Sequence, residues 1–150
     1  MLRPSRKIAL AVEAVLHIAH HGGANPVQSR DIAERMGLPR RYLEQVMQQL
    51  VRGGILRGVR GPRGGYRLAR ERRRITVGEI VRTLAGLDRE DPADLTSASE
   101  LGRRVMLPFW TEVARDLLTR LDAVTVEDLC RQAEEAGIES EARRSYDFVI

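Results

Sequence analysis

A mainly α-helical fold carrying one small β-hairpin is predicted by the 150-residue sequence, on three observations. Apolar residues recur at helical intervals in separate stretches along the chain. Two of the early stretches are parted only by Gly37-Leu38-Pro39, too little for anything but a tight turn. Directly after them comes GVRGPRGGYRLAR, residues 58–70, with strand-like runs at its ends. Together these predict a winged helix-turn-helix domain over residues 1–87, an acidic linker over 88–99, dimerisation helices over 100–137 and a tail over 138–150.

The spacing of Ile8, Val12, Val15, Leu16 and Ile18 predicts a first helix over roughly residues 5–21, stopped by Gly22-Gly23. Ser29 is the expected N-cap of a short second helix carrying Ile32, Ala33 and Met36. Pro39 suits the first turn of a third helix, with Leu43, Val46, Met47 and Leu50 as its inward stripe. Two helices joined so tightly have helix-turn-helix spacing. The outward face of the third helix carries Arg40, Arg41, Glu44, Gln45, Gln48 and Gln49. Arginine pairs with guanine edges, glutamine with adenine and glutamate with cytosine, so this set can read a major groove; the plain alternative is a solvated polar face.

Ile55-Leu56-Arg57 and Tyr66-Arg67-Leu68 have strand-like content, and the Gly/Arg loop lies between them. Glycine lets backbone approach another surface, while arginine forks suit phosphates and base edges. A basic hairpin straight after a helix-turn-helix makes a winged helix. Charge distribution agrees: residues 1–75 carry 16 Arg plus Lys against 5 Asp plus Glu, and residues 76–150 carry 9 against 16. One half is built to meet a polyanion. The candidate DNA-binding residues are Ser29, Arg40, Arg41, Tyr42, Glu44, Gln45, Gln48, Arg57, Arg60, Gly61, Arg63 and Tyr66, with Arg72 and Arg73 expected on phosphates.

Thr76-Val77-Gly78-Glu79 is a capping-box start for a helix reaching about residue 87, and LDREDPADLTSAS reads as the polar linker. Ser97-Ala98-Ser99-Glu100 opens the long helix, in which Leu101, Val105, Phe109, Val113, Leu117 and Leu121 fall at four-residue steps beside Trp110. On so small a domain such a stripe is expected to pair with a second copy. Pro108 inside it should bend the helix or leave a carbonyl free. Thr125 caps a last helix that Gly137 closes.

The segments SRKIALAVEAVLHIA, YLEQ, RGPRGGYRLA and ITVGEIV together resemble the Rrf2 family of bacterial transcription regulators, over nearly the whole chain. The resemblance implies a homodimer that lays its recognition helix in the major groove of a palindromic double-stranded operator and its wing against the adjacent minor groove. By position in the motifs, it implies base-facing roles for Glu44 and Arg60 and a bracing role for Tyr42. Arg63 stands where the family usually has glycine, which makes this wing more basic. Many members hold an iron–sulfur cluster on three cysteines, with a histidine in some. Here Arg104 occupies the last cysteine position and Leu107 the histidine position, and residues 88–110 contain neither residue type. A cluster-free repressor with no metal or cofactor is therefore expected.

Cys130 is the only cysteine, which excludes an intramolecular disulfide and an all-cysteine metal site. It reads as a small buried apolar residue, with redox sensing as the alternative. His17, His20 and His21 lie at i, i+3 and i+4, a spacing that could hold a metal or simply complement the end of a helix dipole. No Ser/His/Asp set, paired carboxylates or phosphate-cradling loop argues for an enzyme. No apolar run approaches the roughly 18–20 residues of a membrane span, so a cytoplasmic protein is expected. The competing functions are a regulator that senses redox or a small molecule through Cys130 or a ligand pocket, and a winged-helix module whose basic face binds protein.

The chain ends in SYDFVI, with Tyr146, Phe148, Val149 and Ile150 at a position where polar residues would be usual. They either fold back on the dimer core or form a docking peptide. An aromatic-Val-Ile ending resembles the tails by which serine acetyltransferases, and cluster-free Rrf2 regulators of cysteine metabolism, enter the active site of cysteine synthase. The resemblance implies that enzyme as a partner, with Ile150 in its pocket.

Overall fold

The computed structural model describes residues 3–85 and 95–143. Helix α1, Arg6–Gly22, begins where Ser5 accepts a hydrogen bond from the Ile8 amide, and Ala11, Ala14, Val15 and Ile18 form its buried stripe. Helix α2, Ser29–Met36, ends at Gly37 in the left-handed conformation, φ 62°. Helix α3, Arg40–Arg52, follows after Pro39, which occupies the cap position rather than the first turn. Leu43, Val46, Met47 and Leu50 are buried, as the periodicity requires.

Strands β1, Leu56–Val59, and β2, Gly65–Leu68, form one antiparallel hairpin, with Leu56 opposite Leu68 and Val59 opposite Gly65. Two glycines make it possible. A Cβ on Gly64 would lie 2.2 Å from the Val59 carbonyl oxygen, inside the tip, and one on Gly65 would lie 2.4 Å from that of Val27. A short 3-10 turn, Arg72–Arg74, leads to helix α4, Val77–Ala85. The expected end of α4 near residue 87 and most of the linker lie outside the described residues.

Helix α5, Leu107–Asp122, is entered through a π turn, Gly102–Met106. The cause is Pro108, which has no N–H to offer and whose ring crowds the carbonyl four residues back. Widening the preceding turn, with the Leu107 amide reaching to Gly102, removes the conflict without a break. Helix α6, Val126–Glu135, is capped by Thr125 as expected, and Asp128 completes a reciprocal capping box there. Thr76 makes the same box with Glu79, at 2.9 and 3.1 Å. The two caps lie against each other as an isolated antiparallel bridge, Val77 donating to the Val124 carbonyl and Val126 to that of Ile75, each at 2.9 Å. Val126 and Cys130 thereby enter the same core as α1, α3, Ile55, Ile75 and Ile80. Cys130 is 1% exposed, and burial pushes its thiol up against the opposing pull of Arg72.

After α6 the chain returns along the carboxyl end of α1. The His20 ring, buried, donates from Nε2 to the Ile138 carbonyl at 2.8 Å, Ser140 donates to the His20 carbonyl, and Arg35 of α2 pairs with Glu141. The Glu141 amide donates to His21 Nδ1, 3.4 Å away. The three histidines are thus engaged with this strap or with one another, the His17 and His21 rings stacking at 5.8 Å. Among the described residues no set of three His, Cys, Asp or Glu could hold a metal.

Burial, then the charges of Arg35 and His20, lower the His21 pKa from 6.5 to about 4. Burial lowers His17 as well. The folded chain thus keeps these rings neutral while the unfolded chain takes up protons below pH 6.5, so their contribution is complete above 6.5 and is lost as pH falls toward 4. Melting temperature is expected to drop across that window, before Asp122 and Asp128 titrate below 3.8. His21→Gln should flatten part of the slope; an unchanged profile in calorimetric scans would contradict the assignment.

Candidate nucleic-acid interface

Helix α3 presents its polar face beside the wing, and several of its side chains are held there by neighbours. Glu44 Oε1 accepts from Ser29 Oγ at 3.2 Å and from Arg40 Nε at 3.1 Å. Its other carboxylate oxygen has no partner among the described residues. Ser29 is buried and is the first residue of α2; Gln28 holds the cap position instead. The expectation of Ser29 as N-cap is corrected accordingly: its hydroxyl donates to Glu44 of the neighbouring α3. Tyr42 is half-buried and packs against the core, while Arg41 and Gln45 are exposed.

The wing is tied to this face at one residue. Tyr66 exchanges both backbone hydrogen bonds with Val27, each 2.8 Å, and its hydroxyl accepts from Gln48 Nε2 at 3.0 Å. Gln48 and Tyr66, both read from sequence as DNA-facing, are therefore bonded to each other. Arg60, Gly61 and Arg63 occupy the exposed tip, and the guanidinium groups of Arg60 and Arg63 have no partner among the described residues. Arg57 sits in β1 directly opposite Arg67. Strand alternation puts that pair on the hairpin face opposite Tyr66, away from α3.

The two arginines expected on phosphates each have an acidic partner within the chain. Arg72 makes a two-point contact with Glu127 of α6, and Arg73 pairs with Glu71. The α1–α2 loop carries no signal in the sequence, because Val27 offers only backbone to the wing.

A tight two-helix unit whose second helix is bonded to an arginine-tipped hairpin defines the winged helix-turn-helix class. The model of the family described as "Rrf2: Iron-dependent Transcriptional regulator" matches residues 4–132, and the chain belongs to that family. It is 34% identical over 125 residues to Protein rrf2 of Nitratidesulfovibrio vulgaris, covering 79% of this chain and 81% of that one. Among solved structures it is similar to the IscR of T. potens, with a TM-score of 0.71, 38% identity and 90% of each chain covered. It is also similar to CymR, the global cysteine regulator of B. subtilis, with a TM-score of 0.70, 30% identity, and 88% and 98% of the two chains covered.

The donor set here does not fit an iron–sulfur group. Cluster ligation calls for several cysteine thiolates. Arg104, which the resemblance sets at the last cysteine position, lies in the π turn, and Cys130 lies in the core.

Tyr66→Phe and Gln48→Ala are each expected to lower folding stability by about 0.5–1.5 kcal/mol, as loss of one hydrogen bond does. Because both remove the same bond, the double variant should cost little more than either single one. Additive losses in denaturant titrations would show that no bond is shared.

Proposed function

We propose that this Rrf2-type regulator is a sequence-specific, cluster-free repressor that binds a palindromic operator as a homodimer in the cytoplasm. The observation that carries the reading is the pairing of a pre-set Glu44 with the open arginines of the wing tip. Ser29 and Arg40 fix one oxygen of the Glu44 carboxylate and leave the other free to accept from a cytosine amino group in the major groove. Arg40 also offsets part of the repulsion between Glu44 and phosphate. Arg41, Gln45 and Gln48 extend the same face, and Tyr42 braces it from behind. With Tyr66 holding the hairpin at a set distance, Arg60 and Arg63 reach the neighbouring minor groove while Gly61 lets the tip approach.

Helix α5 supports the dimer. None of its residues is buried, and Leu101, Val105, Phe109, Val113 and Leu117 are 36–72% exposed along one line, with Trp110 and Leu121 half-buried beside it. An apolar line of this length needs a second copy.

The terminal residues Tyr146, Phe148, Val149 and Ile150 lie outside the described residues. The reading of them as a peptide that docks in cysteine synthase rests on the sequence and on the likeness to a cysteine regulator. O-acetylserine would compete for the same pocket, so that substrate supply reports on the regulator's DNA affinity by linkage. A redox role for Cys130 is disfavoured by its burial and raised pKa, since the thiolate is the reactive form.

In anisotropy titrations Arg60→Ala is expected to cost about 1–3 kcal/mol on the operator and to relax preference at one base position. Equal losses on operator and random DNA would reduce Arg60 to a phosphate contact. Binding by the intact chain should weaken steeply with salt; no DNA binding, or none that responds to salt, would favour the protein-binding module.

Size-exclusion chromatography of anaerobically purified protein should give twice the 16.9 kDa chain mass. No absorption is expected between about 320 and 420 nm, where iron–sulfur centres absorb. Added cysteine synthase should co-elute with the intact chain, not with a variant lacking Ile150, and O-acetylserine should separate the two. A coloured peak, a monomer, or co-elution indifferent to Ile150 would each remove the corresponding part of the reading.

A further inference from the structure

On the hairpin face turned away from the recognition helix lies a cleft of about 640 Å³, lined by Arg57 and Arg67 of the wing, Arg70, Arg72 and Arg73 beyond it, and the carboxyl end of α1. Its size falls within the roughly 300–1,000 Å³ of small-molecule sites. Its charge is unusual in kind. Arg57 and Arg67 are cross-strand partners, and like charges directly opposite on neighbouring strands destabilise a hairpin. No carboxylate relieves them: Arg67 donates to the Ala24 carbonyl, and the Arg57 guanidinium has no partner among the described residues.

The remaining arginines are already anchored. Arg72 is held by Glu127, Arg73 by Glu71, and Arg70 by Glu79 and the Arg74 carbonyl. Both acidic residues of the lining, Glu71 and Glu127, are therefore used up. What the cleft lacks is one anion between Arg57 and Arg67. Guanidinium forks take phosphate and carboxylate groups in two-point geometry, and Ile18, Ala19 and Leu68 supply an apolar floor for a short hydrocarbon part.

We propose that this cleft binds a small free anion, a phosphate or carboxylate compound gripped by Arg57 and Arg67, and that it is an effector site of the regulator. The walls explain how occupancy reaches the DNA-reading face. Arg67 adjoins Tyr66 in β2 and holds Ala24 of the loop whose Val27 pairs with Tyr66, so a ligand on Arg67 acts on the junction that sets the wing. The effector role rests on the regulator reading above; the binding site does not, and it is tested without DNA.

The experiment is a nuclear magnetic resonance titration of the full chain with sodium pyrophosphate and, separately, sodium citrate, against sodium chloride at matched ionic strength. Saturable shifts of the Arg57 and Arg67 Nε–H signals and of the Ala24 and Asn25 amides are expected, with a Kd below about 1 mM for at least one of the two. The Arg57→Gln/Arg67→Gln variant loses the Arg67 bond to the Ala24 carbonyl along with the like-charge pair, and Arg57→Gln alone leaves that bond in place. Both should keep the parent's far-ultraviolet circular dichroism, and the double variant should bind at least about tenfold more weakly. Shifts that chloride reproduces, shifts that do not saturate, or undiminished binding by the double variant would overturn the proposal. A DNA arm separates the other source of phosphate. If the free chain binds neither anion while the double variant flattens the salt dependence of DNA binding by about two counterions, the pair serves the DNA backbone and the effector site does not exist.

Discussion

Tyr66 joins three pieces of chain: the wing, the loop after α1 and helix α3. Its backbone pairs with Val27 in the loop after α1, and its hydroxyl takes the amide of Gln48 on α3. The pairing with Val27 exists only because Gly65 has no side chain, a Cβ there falling 2.4 Å from the Val27 carbonyl oxygen. A hairpin of two four-residue strands is marginal alone in water, so these external bonds are what turn it into a positioned wing. The reach from Glu44 on α3 to Arg60 at the tip depends on them.

A second junction unites the basic and acidic halves of the chain. The capping boxes of Thr76 and Thr125 satisfy the first amides of α4 and α6, and backbone bonds between the caps set the two helices side by side. Helix α6 then completes the core beneath α1, while α5 leaves with its apolar line uncovered. Arg82 and Asp122 fasten α5 to α4 by a two-point ion pair. The π turn before Pro108 lets one helix run on past a residue that would otherwise interrupt it.

The charge of the first half is also sorted by tertiary partners. Arg70 and Arg72 are bound to Glu79 and Glu127, both from the second half, whereas Arg41, Arg60 and Arg63 stay open on the α3 and wing-tip surface. Part of the basic surplus thus holds the two halves together. The rest faces outward, and Arg57 and Arg67 face a cleft of their own.

The sequence by itself determined what depends on near neighbours. The stripe of α3, the glycine-framed hairpin, the Thr76 capping box and the cap at Thr125 are set by residues three or four apart or by the turn chemistry between them, and they stand where the pattern puts them. In α1 the pattern found the helix and Val15 and Ile18, while Ala11 and Ala14 are buried in place of Ile8, Val12 and Leu16, which are only partly covered. The likeness of YLEQ and RGPRGGYRLA to a known family was legible for the same reason, as contiguous stretches. Only the tertiary structure decided which polar residues are free to act. Ser29 and Glu44 are 15 residues apart, Gln48 and Tyr66 are 18, Arg72 and Glu127 are 55, and His20 and Ile138 are 118. A serine that orients a carboxylate and a serine that caps a helix look alike in a sequence, because both need only one hydroxyl; the neighbouring α3 is what gives this one its partner.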